Sequence, residues 1–226
     1  MANNNILAIE ESTAISLKER AYKIIKQNII SCKFPPGSLL NEKDLVERIG
    51  ASRTPIREAL NRLEQEKLVT IVPQRGSFVT AITPQIIKDV YQVREMLEPC
   101  LVSRVTPLVT AADLEGFRER FSRLVPGDYE AAIAIDNDFH NFIVRASDNN
   151  YLINLMENLY IQNDRIRAIM MRMPQRLGET VEEHQAVIAA MLDRDGARAA
   201  EAMRSHIISA MHIAFKFITG FSAGGR

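Results

Sequence analysis

The chain has 226 residues, 46% of them hydrophobic and 25% charged, and its 28 basic side chains balance 28 acidic ones. That length suits one or two domains with a sizeable core, and the apolar and charged fractions are ordinary for a soluble globular protein. No apolar run approaches membrane-spanning length and Met1 to Glu11 lacks a signal-peptide pattern. With two cysteines far apart, Cys32 and Cys100, the expectation is a reduced cytoplasmic protein with no membrane partner.

In chain order, residues 1–15, with Asn3-Asn4-Asn5, read as a flexible arm. Leu17 to Ser31 then reads as a helix with Ala21, Ile24, Ile25 and Ile29 on its inner face. Pro35-Pro36-Gly37 turns the chain, and Asn41 caps a short helix through Asp44, Leu45, Val46 and Ile49. Gly50-Ala51 breaks it, and Ser52 stands as N-cap of a second helix with Pro55 in its first turn. Ile56, Leu60 and Leu63 share the buried face of that helix, while Arg53 and Arg57 project from the other side of its start. Two guanidiniums there can enter a major groove and grip guanine edges or phosphates. Alone, the spacing fits a plain amphipathic helix with solvated arginines equally well.

The neighbours favour the first reading. Leu68–Val72 and Ser77–Ala81 are β-branched-rich runs joined by Pro73-Gln74-Arg75-Gly76, a two-stranded hairpin with a basic tip. Three helices plus a β-hairpin wing make residues 16–81 a winged helix-turn-helix domain. Charge agrees with this. Residues 1–80 hold 12 Lys and Arg against 9 Asp and Glu, and the rest of the chain holds 16 against 19.

Beyond Ala81 the pattern becomes purely helical, starting from a Thr83-Pro84 cap. Six helices are expected, at about 84–105, 110–124, 128–147, 150–172, 177–194 and 196–219. They would form an all-α antiparallel bundle over 82–220, with a flexible tail at 221–226, so the whole fold is mainly α. Asn150 reads as a helix cap, and Met170, Met171 and Met173 as gap-filling core.

Four polar residues of the bundle fall on apolar stripes. Asp136 and His140, four apart, share a face with Ile133, Ile143 and Val144. His184 lies with Val181, Ile188 and Met191, and His206 with Ala199, Met203, Ala210 and Ile213. A buried Asp and three buried His would each need a partner, and one divalent cation satisfies them together. Imidazoles with one carboxylate suit Zn²⁺, Ni²⁺, Fe²⁺ or Mn²⁺. The plainer alternative is an Asp136–His140 pair with two unrelated core histidines. Four ligands would close a tetrahedral zinc shell but leave two positions of an octahedral ion for a chelating acid. Arg94 lies on the apolar line Val90, Leu97, Leu101. It reads either as an Arg94–Glu98 pair on a partly exposed face or as a clamp for a carboxylate.

Residues from about Ser16 to Thr80 resemble the DNA-binding domain of GntR-family bacterial transcription regulators. The resemblance rests on Pro35-Pro36-Gly37, the Ser52–Leu60 block, and Arg75-Gly76 followed by Val79. It implies DNA contacts from Arg53, Thr54 and Arg57, with Lys43 from the preceding helix, Arg75 at the wing tip and Gly76 allowing the wing backbone into a minor groove. Lys67 departs from the pattern, where the family usually ends the recognition helix with Gly. A left-handed lysine or a different cap is therefore expected.

Residues from about Ile82 to Phe217 resemble the FCD effector-binding domain of the FadR subfamily. The matches are Asp136-x-x-Phe139-His140, Glu183-His184, Asp193-x-Asp195-Gly196 and Ser205-His206. The resemblance implies a metal held by Asp136, His140, His184 and His206; His212 has no counterpart and reads as structural or surface. The leading expectation is a homodimer on palindromic double-stranded DNA that responds to a small organic acid. The alternatives are a metalloenzyme using the Asp/His₃ site and a DNA binder with an inert bundle.

Overall fold

The computed structural model describes residues 16–170 and 174–222. The arm expected at 1–15, the residues Met171 and Met173, and the end of the expected tail, 223–226, lie outside the described residues. The chain divides into two compact units. One comprises Leu39–Phe78 with the chain up to Gln27, and the other Asn28–Ser38 with the chain from Val79 onward.

The smaller unit is built on α1 (Leu17–Ile30), α2 (Glu42–Ile49) and α3 (Arg53–Gln65), with β1 (Leu39–Leu40), β2 (Val69–Val72) and β3 (Gly76–Val79). Ala21 and Ile25 of α1, Leu45 and Ile49 of α2, and Ile56, Leu60 and Leu63 of α3 are all buried. Tyr22 is buried where Ile24 was expected, because its ring lies under the Arg62 guanidinium at 3.5 Å and its hydroxyl donates to Glu66 Oε1 at 2.7 Å. Asn41 caps α2 as expected by accepting from Lys43 N. Ser52 takes the extended N-cap conformation, but its hydroxyl accepts no backbone N–H, so its contribution there is conformational only.

Lys67 ends α3 in the left-handed region, at φ 59°. Lys67 N donates to Glu64 O at 2.9 Å and Leu68 N reaches back to Leu63 O at 2.9 Å, the double return of a Schellman cap, with lysine in glycine's usual place. The sheet has three strands in the order β1-β3-β2, not the two of the expected hairpin, since Leu39 and Leu40 pair antiparallel with Phe78 and Ser77. Two adjacent leucines carry no alternation, so the pairing left no period to read. Gly76 sits at φ 111°, and a Cβ there would lie 3.1 Å from Leu39 Cδ1 of the neighbouring strand.

The larger unit contains α4 (Pro84–Val105), α5 (Ala111–Ser122), α6 (Tyr129–Arg145), α7 (Asn150–Met170), α8 (Pro174–Leu192) and α9 (Gly196–Ser222). Thr83 caps α4, as read from its side chain. The cap of α7 is Asn149 rather than Asn150, since Asn149 Oδ1 accepts from Tyr151 N and Leu152 N. Helix α9 runs beyond the expected 219. It packs most closely along α4 and α8. Gly196 lets its first turn touch α4: a Cβ there would stand 2.9 Å from Ser103 O. Asp195 Oδ1 caps the same turn from Arg198 N at 2.9 Å, so the Asp-x-Asp-Gly stretch has a local structural reason. One continuous apolar core, including Phe121, Phe139, Met156, Ile188 and Met203, runs through the bundle. Among the described residues no helix is long and apolar enough to cross a membrane.

Candidate metal centre and nucleic-acid interface

Helix α6 places Asp136 and His140 one turn apart on its inner face, α8 brings His184 and α9 brings His206. The ligand-capable atoms of all four lie within 4.8 Å of one another, and all four side chains are buried. His184 Nε2 lies 3.1 Å from Asp136 Oδ1 and 3.2 Å from His140 Nε2. Three helices that share no local sequence thus deliver the constellation to one point. His212 is exposed on α9 and takes no part.

The outer nitrogens determine what the inner ones can do. His184 Nδ1 donates to the Thr180 carbonyl at 2.7 Å, and His206 Nδ1 to Glu183 Oε2 at 2.8 Å. Glu98 Oε2 stands 2.7 Å from His140 Nδ1, off the ideal hydrogen-bond line but close enough to hold that proton by charge. Each ring therefore keeps its proton on Nδ1 and turns the bare Nε2 lone pair inward. His206 Nε2 is buried with no hydrogen-bond partner, and two bare nitrogens face each other at 3.2 Å between α6 and α8. Such a set repels itself unless a cation or proton sits among it. Burial and the neighbouring His184 push the His206 pKa down to about 3, and burial lowers that of His140. Protons are thus disfavoured at neutral pH, and the residues present fit a divalent metal. Burial alone would raise the Asp136 pKa. Arg167, His184 and His140 outweigh it and keep the carboxyl ionised.

Arg94 is 1% exposed, not on a partly exposed face. Its Nε donates to Glu98 Oε1 at 2.6 Å, one NH₂ group to Glu98 Oε2 at 3.3 Å, and the other to Asn163 Oδ1 at 2.8 Å. The pair with Glu98 is therefore real and buried. The same guanidinium lies 3.4 Å from His140 Nε2, at the edge of the cluster. A cavity of about 20 Å³, large enough for an ion or a water, opens beside the cluster and is lined by Arg94, Asp136, Arg167, Met170 and His206 among others. Arg167 was not singled out from sequence, nor was the orienting role of Glu98 and Glu183.

In the smaller unit Lys43, Arg53, Thr54 and Arg57 are all exposed, on α2 and on the first turns of α3, and Arg75 is exposed at the wing turn before Gly76. Arg57 Nε bonds Glu42 Oε2 at 3.0 Å across the turn between the helices. An exposed pair of this kind contributes little and yields readily to a phosphate or a guanine edge.

Two family models together cover most of the chain: "Bacterial regulatory proteins, gntR family" matches residues 17–79, and "FCD domain" matches residues 89–209. The chain belongs to the GntR family, with an FCD domain. It is a DNA-binding transcription regulator and not an enzyme, which removes the metalloenzyme alternative. The HTH-type transcriptional repressor GlaR of Escherichia coli K12 is 31% identical over 211 residues, covering 88% of this chain and 96% of that one. The repressor RspR of the same strain is 25% identical over 195 residues, covering 84% and 86%. Among solved structures, E. coli McbR/YncC superposes with a TM-score of 0.75 at 22% identity, covering 90% of this chain and 99% of that one. The Zn²⁺-bound FCD domain of TM0439 gives 0.54 at 19% identity, over 62% of this chain and 99% of that one.

For this GntR regulator the exposed arginines of α3 give a direct test. Arg57→Ala is expected to weaken specific DNA binding by ~1–3 kcal/mol, the worth of one bidentate base contact. Fluorescence anisotropy on operator and scrambled duplexes checks it. Equal losses on both would make Arg57 a phosphate contact, and no loss on either would remove it from the interface.

Proposed function

We propose that this regulator is a cytoplasmic homodimeric repressor whose affinity for a palindromic operator is set by a small organic acid bound at or near a metal. Asp136, His140, His184 and His206 hold the divalent cation, which is zinc, nickel, iron or manganese. Lys43, Arg53, Thr54, Arg57, Arg75 and Gly76 contact the duplex. The observation that carries the reading is the inward convergence of three Nε2 lone pairs and one carboxylate, each imidazole locked from behind by an acceptor. When bound, such a cation supplies positive charge that attracts carboxylate oxygens.

Repression is supported by the relatives GlaR and RspR, both named as repressors. Pairing of two chains is supported by an apolar groove of about 330 Å³ between α4 and the start of α7. It is flanked by Met96 and Leu108, 69% and 68% exposed. An acid that binds one arrangement of the dimer better than another shifts operator affinity by that difference.

The test is metal content of the purified protein by mass spectrometry, followed by operator binding with and without organic acids. About one divalent ion per chain, with an acid that changes operator affinity only when metal is present, is the expected outcome. A chain that takes up no divalent ion even after reconstitution would make the four residues ordinary polar core.

A further inference from the structure

Besides its helices, the larger unit holds two short stretches that lead directly into the smaller one, Asn28–Ser38 and residues 79–83. They are tied to each other: Gly37 N donates to Val79 O at 2.8 Å, and Val79 N to Ser38 O at 2.9 Å. Arg165 of α7 touches both. Its backbone carbonyl accepts from the Cys32 thiol at 3.5 Å, and its guanidinium donates to the Thr80 carbonyl.

The guanidinium is held in an unusual way. Arg165 is 0% exposed, yet among the described residues it has no carboxylate partner. Nη1 donates to Gln162 Oε1 at 2.8 Å, Nη2 to Thr80 O, and Nε is buried with no partner at all. A cation on neutral acceptors recovers little of its desolvation cost, and burial accordingly lowers the Arg165 pKa. An apolar side chain would fill the space without that cost, so packing does not explain the residue. A contact held this weakly opens when its helix moves a little.

The same helix reaches the metal cluster. Arg167 lies two positions on, about 200° round the helix from Arg165, and is paired with Asp136. Helix α7 thus meets the cluster on one side and the chain leading to the smaller unit on the other. A cation engaged by Asp136 competes for the carboxylate that Arg167 holds, and a shift of α7 is delivered at Thr80.

Resting on the proposed metal-dependent sensor, we infer that Arg165 is a latch that carries the state of the metal cluster to the DNA-binding unit. Its hold on Thr80 is kept in one position of α7 and released in the other, which changes the freedom of both stretches leading into that unit. Arg165 belongs neither to the cluster nor to the surface of α2, α3 and the wing, so it is a positioning residue.

The test uses the full-length protein and a DNA duplex that the wild type selects from a randomised pool. Duplex affinity is measured by fluorescence anisotropy with a chelator and with saturating Zn²⁺ or Mn²⁺, for the wild type, Arg165→Met and Arg165→Lys. In the wild type, metal is expected to change the duplex Kd about fivefold or more. In Arg165→Met the two Kd values should differ by less than about twofold, while the metal Kd stays within a few-fold of wild type. Arg165→Lys keeps a donor within reach of Thr80 and should retain part of the shift. A full shift in Arg165→Met would overturn the latch. So would metal affinity and melting temperature collapsing together in both variants, since Arg165 would then only support the fold. A wild type that binds metal with no change in duplex affinity would overturn the latch alone, and one that takes up no metal would overturn the sensor with it.

Discussion

His184→Ala is expected to abolish the metal site while leaving DNA recognition in place. His184 is the hub of the cluster: it is 0% exposed, and its Nε2 stands 3.1 Å from Asp136 and 3.2 Å from His140. Its Nδ1 proton is fixed by the Thr180 carbonyl, and its ring stacks on Phe121 with centroids 4.6 Å apart. Loss of an outer-shell partner typically costs 10–100-fold in metal affinity, so loss of the donor itself should exceed about 100-fold. Chelator competition measures this directly. In the same variant an organic acid should no longer shift the melting temperature or operator affinity, whereas affinity for operator without acid should persist, because α2, α3 and the wing contain none of these residues. His184→Gln, which keeps bulk against Phe121, separates lost packing from lost coordination. Wild-type metal affinity in either variant would remove His184 from the donor set.

The two halves of the molecule were legible to different depths. Helix α3 announced itself because cap, Pro55, apolar face and arginines all lie within one short window, so local physics was enough. Asp136 and the three histidines of the cluster were legible one at a time, each as a polar residue on an apolar stripe; their convergence was not, since periodicity within a helix says nothing about which helices meet. Glu98 and Glu183 were missed as orienting groups for the same reason: Glu98 reads locally as the i,i+4 partner of Arg94, and its second role toward His140 exists only in three dimensions. Arg167 did carry a signal, since it continues the buried stripe of Met156 and Met170 on α7. Strand β1 was invisible because two residues have no period. The lysine at the end of α3 was legible as an anomaly, and Lys67 at φ 59° is its resolution.

Glu98→Leu is expected to destabilise the helical unit by ~3–5 kcal/mol, the penalty for leaving one partner of a buried ion pair uncompensated. Arg94 and Glu98 are each 1% exposed, and the carboxylate faces both the guanidinium and His140. At roughly 2–4 °C per kcal/mol for a chain of this size, the melting temperature should fall by about 6–20 °C. The pH dependence follows from the same pair. Burial opposes ionisation of Glu98, but Arg94 and His140 outweigh it and hold its pKa below the ordinary 4.5. Its contribution is therefore complete above that unfolded value and lost as pH falls below it; Glu98→Leu should flatten the acid limb of the stability curve. The double variant Arg94→Met/Glu98→Leu removes both charges, and most of the stability should return, since apolar replacements of a whole buried pair are often neutral. Metal affinity should not return with it. His140 Nδ1 has lost the carboxylate that fixes its proton, and a deficit of ~10–100-fold should remain in single and double variants alike. Recovery of metal affinity together with stability in the double variant would show that Glu98 serves the fold alone. A deficit that survives restored stability would place Glu98 in the metal site, as the group that keeps His140 turned toward the cation.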